Sequence, residues 1–298
     1  MKILIIKLGA AGDVLRTTTL FNVLKGEVHW LTSDLNMVLL KGASQISDCI
    51  PFSKRTDLRH RSYDLVINLE DTLEAALLLK EIQYKDLFGS YINRDNRLTY
   101  TESSEEWFDL SLISRYGKEK ADQLKFENRN TYQKMIFNGL GYPFTGEKYF
   151  MPEPDEPGLE GDIAIASQSG SVWPMKNWAY YEELKTKLMD KGYKVNSLPL
   201  RNTLREHIGD IRNHQYLISG DSLPMHIALG SGIQCLTIFI CTSPWEIYDY
   251  GVQKKMVSPH LKEYFYKRGF DPKATASISL SEVYETILEE FETKNKGG

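Results

Sequence analysis

Cysteine is scarce: Cys49, Cys235 and Cys241 are all the chain has. An odd count without C-x-x-C spacing gives neither a disulfide framework nor a thiolate metal site, and suits a reducing, cytoplasmic setting. A basic excess is also lacking. Lys and Arg number 36 against 40 Asp and Glu, a net charge of −4. A general nucleic-acid binder needs a cationic face for phosphates, so that class is set aside. No apolar run approaches the roughly 20 residues of a membrane-spanning helix. The apolar start, Ile3 to Ile6, breaks at Lys7 with no small-residue cleavage site behind it, so it reads as a buried strand and not a signal peptide. Missing too are the familiar nucleotide loops: Gly9-Ala10-Ala11-Gly12-Asp13 is neither G-x-G-x-x-G nor a Walker loop. Internal repeats and low-complexity tracts are absent.

What is present is alternation. Short apolar, β-rich runs lie at 2–8, 27–31, 63–69, 162–167, 216–220 and 234–240. Amphipathic stretches of helical length lie among them, at 13–25, 71–83, 177–191, 202–212 and 222–230. Strands apolar on both faces, alternating with helices, predict an α/β fold with parallel sheets covered by helices. The segment MPEPDEPG, 151–158, carries three prolines and cannot form a helix or a central strand, so it reads as a linker. Two Rossmann-like domains are therefore expected, 1–150 and 159–275, facing a cleft. A last helix, 278–294, opens with serines, and the closing segment 276–298 is placed as packing back on the first domain. Residues 93–130 read as an irregular surface excursion, with a substrate loop as the sharper alternative.

Three places could carry chemistry. In the first, Gly9 and Gly12 turn a tight loop after the opening strand and set Asp13 at a helix start, either as an N-cap or as a carboxylate facing a ligand. The second is SQSGSVWPMKNW, 167–178. Ser167, Ser169, Gly170 and Ser171 offer hydroxyls and backbone, and Lys176 offers a cation suited to phosphate. A solvated loop lysine is the plainer reading. In the third, SGDSLPMH, 219–226, Asp221 and Ser222 are N-cap types and Pro224 suits a first helical turn. His226 follows near a helix N-terminus able to hold an anion.

Together these segments resemble glycosyltransferase family 9, the heptosyltransferase family. Leu8-Gly9-Ala10-Ala11-Gly12-Asp13 followed by Thr17-Thr18 matches its opening L-G-A-x-G-D motif. Ser169-Gly170-Ser171 and Lys176-Asn177-Trp178-Ala179 match the loop that ends in K-x-W-P except for the final proline, and Thr19 stands where a proline often follows the first motif. Gly220-Asp221-Ser222-Leu223-Pro224-Met225-His226, then Phe239 to Pro244, match the stretch resembling G-N-D-T-G-P-M-H and F-G-P-T-S-P. The resemblance implies a GT-B fold and an inverting, metal-independent transfer of a sugar from a nucleotide-diphosphate donor, typically ADP-heptose, to a hydroxyl of a glycan such as lipopolysaccharide core. It casts Asp13 as general base and Lys176 as the cation that stabilises the leaving diphosphate. It places Gly12, Ser169, Gly170, Asp221, Ser222, Leu223 and His226 at the donor. No separate cofactor is implied, and no D-x-D triplet follows any expected strand.

Besides these two prolines, the chain departs from the family at two further places. GYKVNSLPLRNTLREHIGDI joins two helices through a single strand, so one strand–helix unit near the donor's ribose and base is missing. Leu223 and Ile240-Cys241 replace Gly and Gly-Pro. These departures motivate the alternative of a non-catalytic GT-B scaffold. A GT-B-folded epimerase ranks below the transferase, and so does a Rossmann oxidoreductase, supported only by Asp34 after a strand. HLKEYFYKRGF, 260–270, could touch an anionic glycolipid or the membrane face; a helix with a packed aromatic side is the plainer reading.

Overall fold

The computed structural model describes residues 1–156, 158–170 and 172–295. The chain divides into two compact units. One comprises Met1–Glu153 and Trp245–Tyr248, the other Pro154–Pro244 and Asp249–Gly298.

The N-terminal unit is built on strands β1 (Lys2–Ile6), β2 (Glu27–Thr32), β3 (Ile46–Pro51), β4 (Ser62–Asn68), β5 (Gln83–Ile92) and β6 (Leu98–Tyr100). They lie in the order β3-β2-β1-β4-β5-β6, all parallel except β6. Ile3 to Ile6 are fully buried, as a central parallel strand requires. The chain leaves β1 toward β2 and β3, then returns to β4 on the opposite side of β1. That makes the carboxyl ends of β1 and β4 a topological switch point, where open α/β sheets hold ligands. The helices are α1 (Ala11–Thr17), α2 (Leu73–Leu78), α3 (Glu105–Phe108), α4 (Lys118–Glu127) and α5 (Tyr132–Gly139).

The helix expected over 13–25 is shorter and starts earlier. Ala10 is the N-cap of α1, and the helix tightens into a 3₁₀ turn over Thr18–Asn22. Three consecutive threonines account for this. The hydroxyls of Thr17, Thr18 and Thr19 donate backward to the carbonyls of Asp13, Leu15 and Arg16 at 2.6, 2.5 and 2.9 Å, and such back-bonding disfavours a regular helix. Residues 93–130 are not an irregular excursion. They hold β6, α3 and α4, and Phe108 and Ala121 are buried.

Trp245–Tyr248 reaches the N-terminal unit from a distant part of the sequence. The Trp245 ring lies 3.7 Å from the Arg129 guanidinium and 5.7 Å from Phe126. Glu246 O accepts from Tyr132 N at 3.0 Å, and Tyr248 packs edge-on against Phe144.

The C-terminal unit has β7 (Gly161–Ala166), β8 (Val195–Ser197), β9 (His214–Gly220), β10 (Gln234–Phe239) and β11 (Gln253–Val257), all parallel, in the order β11-β10-β9-β7-β8. Its switch point lies between β7 and β9. The helices are α6 (Tyr181–Asp190), α7 (Leu204–Arg212), α8 (Leu223–Ser231), α9 (Leu261–Tyr264), α10 (Pro272–Thr275) and α11 (Leu280–Asn295). A capping box closes α7: Thr203 Oγ1 accepts from Glu206 N, and the Glu206 carboxylate accepts from Thr203 N.

The last helix belongs to the C-terminal unit. Its apolar stripe Val283, Ile287 and Phe291 joins the core formed by Leu184 and Leu188 of α6 with Ile163, Ile218 and Leu236 of the sheet. Phe291 lies 4.9 and 5.3 Å from the rings of Tyr193 and Tyr216. Segment 260–270 forms only the four-residue α9 and a turn, with Leu261 and Tyr264 buried. Among the described residues no helix is long and apolar enough to cross a membrane, and the three cysteines are free.

Candidate active site

In the N-terminal unit the loop after β1 and the loop after β4 meet at the switch point. Lys7 Nζ donates to Glu70 Oε1 at 2.8 Å, and Leu8 N donates to the same oxygen at 2.7 Å. Both side chains are 9% exposed, so this is a buried ion pair. Glu70 is held in turn by the end of β4. Its N–H donates to Asn68 Oδ1, and its carbonyl accepts from Ser90 Oγ at 2.5 Å. Gly89 of β5 is obligatory beside this contact: its φ is +113°, and a Cβ there would meet Asn68 O at 1.9 Å.

Asp13 is not the N-cap of α1. It sits third in the first turn, and its side chain, 32% exposed, pairs with Arg16 at 2.8 Å. Arg16 is buried, its guanidinium 3.9 Å from the Tyr132 ring centroid and 5.8 Å from Trp107. The Tyr132 hydroxyl is 2.7 Å from Thr17 Oγ1. Burial works to lower the pKa of Lys7, but Glu70 and then Asp13 outweigh it and hold it raised. The same balance holds at Arg16, where Asp13 is the leading attraction. Asp13 is thus a partly exposed carboxylate set above two buried cations.

In the C-terminal unit the loops after β7 and β9 meet in the same way. Lys176 ends a 3₁₀ turn, Pro174–Lys176. Its ammonium donates to Asp221 O at 2.7 Å and to Asp221 Oδ2 at 3.1 Å. Burial raises the Asp221 pKa, yet Lys176 prevails and holds it below the usual carboxylate value. Lys176 is therefore not the open loop cation the sequence suggests, because two of its three donors already serve Asp221. Gly220 permits this closeness: a Cβ there would lie 2.8 Å from Lys176 O.

Ser222 is the N-cap of α8, with Leu223 first in the helix and Pro224 second. Its hydroxyl makes no cap bond, so the first N–H groups of α8 keep the anion-binding character of a helix start. His226 is buried and within electrostatic reach of Asp221. Ser169 serves its own loop: its N–H donates to Asn177 Oδ1 at 2.8 Å and its hydroxyl to Trp173 O at 3.2 Å. Gly170 is exposed, with open space where a side chain would begin. Ser171 lies outside the described residues.

Sequence reasoning missed Lys7, Arg16, Glu70, Tyr132 and Lys255. Lys7 and Arg16 flank the glycine motif and were readable as charges beside it. Glu70 directly follows an apolar strand, which is also a signal. Tyr132 and Lys255 carried none. Lys255 donates to Pro244 O at 2.7 Å, and burial lowers its pKa against the pull of Asp249 and Asp221. Asp34 gives the oxidoreductase reading no support, since its carboxylate is taken by the N–H and hydroxyl of Ser53 at 3.1 and 2.5 Å. Burial pushes the Cys241 thiol up to about 11, which leaves it unreactive near neutral pH. No group of three or more potential metal ligands occurs among the described residues.

No protein-family model matches the chain, and no curated protein does. Solved structures do match it. A glycosyl transferase family 9 protein from Veillonella parvula superposes with a TM-score of 0.67 at 15% identity, covering 97% of each chain. The E. coli heptosyltransferase WaaC with ADP-2-deoxy-2-fluoro heptose gives 0.61 at 14% identity, over 97% of this chain and 100% of that one. The E. coli ADP-heptose lps heptosyltransferase II gives 0.62 at 14%, over 99% and 100%. At such identities the likeness is one of architecture, and it establishes that this chain has the two-unit α/β GT-B fold of these transferases.

Proposed function

We propose that the chain is a glycosyltransferase of the family 9 type. It moves a heptose or related sugar from a nucleotide-diphosphate donor to a hydroxyl of a glycan or glycolipid acceptor, with inversion and without a metal. One observation carries this reading. The three motif segments stand at the carboxyl ends of β1, β7 and β9, which are the switch points of a fold shared with structures that hold ADP or an ADP-heptose. In the proposed reaction Asp13 takes the proton from the acceptor hydroxyl as that oxygen attacks the anomeric carbon. The bond from the anomeric carbon to the diphosphate oxygen breaks, and the negative charge passes to the leaving diphosphate. Lys176 and the first N–H groups of α8 stabilise that charge, and Gly170, Ser222 and Leu223 line the donor in this proposal. Asp221 holds Lys176 in place, and Ser169 and Asn177 fix the loop beside it. The donor is ADP-linked in this proposal, and the reaction belongs to the cytoplasm, at the inner membrane face where the acceptor is a lipid-borne glycan.

Thermal stabilisation by ADP, GDP, UDP and CDP tests the donor. A nucleotide at 100 times its Kd stabilises the folded state by about 2.7 kcal/mol. ADP alone is expected to raise the Tm, and no rise with any of the four would overturn the transferase reading. Asp13→Asn is expected to keep that stabilisation and lose transfer; full transfer by the variant removes Asp13 as base. A second reading, a non-catalytic scaffold, is favoured by the engagement of Lys176 with Asp221, and it predicts no nucleotide stabilisation at all.

A further inference from the structure

The cluster around Arg16 holds a second carboxylate that the proposed reaction does not use. Glu246 is 5% exposed and arrives on the Trp245–Tyr248 segment, whose flanking residues belong to the other unit. Its backbone carbonyl accepts from Tyr132 N at 3.0 Å, and the Tyr132 ring covers the Arg16 guanidinium at 3.9 Å. Two buried atoms of this cluster have no hydrogen-bond partner among the described residues: Arg16 Nε, a donor, and Glu246 Oε1, an acceptor. A buried carboxylate is stable only where a cation compensates it, and each unpartnered buried polar atom calls for an explanation. The attraction between Glu246 and Arg16 has the same sense.

From this cluster we infer that Glu246 is a positioning residue for Asp13, acting through Arg16. The inference rests on the reading of Asp13 as the base. Arg16 is shared between two carboxylates, one buried and one presented outward. Glu246 draws part of the guanidinium's charge away from Asp13, which leaves Asp13 a better proton acceptor than a fully paired aspartate would be. Tyr132 and Trp107 fix the plane in which that sharing occurs. The titratable and charged groups around the pair are Lys7 after β1, Glu70 after β4, Arg16 of α1, Tyr132 of α5, Tyr149 before the linker and Glu246 itself.

The sign of the effect follows. Glu246→Gln removes a negative charge near Asp13 and releases Arg16 to it, and both changes favour the ionised form of Asp13. Titration of the Asp13 carboxyl carbon by ¹³C NMR, assigned by its loss in Asp13→Asn, is expected to show a midpoint lower by about half a pH unit or more. The same variant is expected to lower kcat about two- to threefold for each half unit of that shift, with donor KM unchanged, as a weaker base at an intact donor site requires. In an Arg16→Gln background the Glu246→Gln shift is expected to shrink, because the part relayed by the guanidinium is lost and only the direct effect of the Glu246 charge is left. Should Glu246→Gln fail to fold, Trp245→Ala loosens the same segment from Phe126 and Arg129 and is expected to move the midpoint in the same direction. An unmoved midpoint in a folded variant overturns the inference. Transfer by Asp13→Asn overturns the base assignment alone, since the NMR coupling does not depend on activity.

Discussion

Removing the Glu70 carboxylate should be among the most costly single changes in the N-terminal unit. Glu70→Ala leaves two groups without their acceptor, the Lys7 ammonium and the Leu8 N–H, both of which use Oε1 within 2.8 Å. Lys7 is 9% exposed, so water cannot replace the lost partner without opening the loop. Breaking a buried ion pair from one side costs about 3–5 kcal/mol, because the surviving charge stays in a poorly solvating place. A unit of this size loses about 2–4 °C of Tm per kcal/mol, so the drop is about 6–20 °C. Trp30 is the natural reporter, since its indole N–H donates to Lys7 O at 3.3 Å. Urea unfolding followed by tryptophan fluorescence should show the transition of the unit carrying Trp30 move to lower urea. Lys7→Met should cost a similar amount by stranding Glu70. The double variant Lys7→Met/Glu70→Ala should cost less than the two singles combined, because no charge is then left buried alone. A Glu70→Ala variant within 1 kcal/mol of the parent, or strict additivity in the double variant, would refute this account of the loop.

Other outcomes follow from the C-terminal unit. Gly220→Ala places a methyl 2.8 Å from Lys176 O and should lower the Tm and weaken stabilisation by a nucleoside diphosphate, both read in one thermal-shift titration. Asp221 titrates below its ordinary 3.8, so its stabilising contribution is present above that pH and is lost as the pH falls through the lower folded value. Asp221→Asn should therefore be less stable than the parent at neutral pH, with the gap closing below about pH 3.8 in acid-unfolding curves; a gap constant with pH would show that the Lys176 pairing carries no weight.

The fold class was legible because central parallel strands are apolar on both faces. Ile3–Ile6 and the β4, β7, β9 and β10 segments stand out for that reason alone. The edges were less legible. Strand β11, Gln253–Val257, carries polar residues to a half-solvated border, and β5 opens with the exposed run Gln83–Asp86 directly behind a helical pattern. The positions of Asp13, Lys176 and Asp221 at strand ends were readable from glycine and cap residues. Their partners were not. Lys7 and Glu70 lie 63 residues apart, and only the sheet order brings them together. The Tyr132 ring over Arg16 likewise depends on how α5 packs, for which no local pattern exists.

Because Trp245–Tyr248 completes a unit whose other residues end at Glu153, the order of synthesis matters. When residue 153 has emerged from a ribosome, Phe126, Phe144 and Arg129 still lack the rings of Trp245 and Tyr248, and Tyr132 N–H lacks its acceptor. The missing segment is made about 5–20 s later, at 5–20 residues per second. The N-terminal sheet can form before that moment, but the seat of Glu246 against Tyr132 cannot. A nascent chain paused between the two points would carry a sticky aromatic face and an unfinished site. A fragment cut at the linker should reproduce that intermediate as a permanent state.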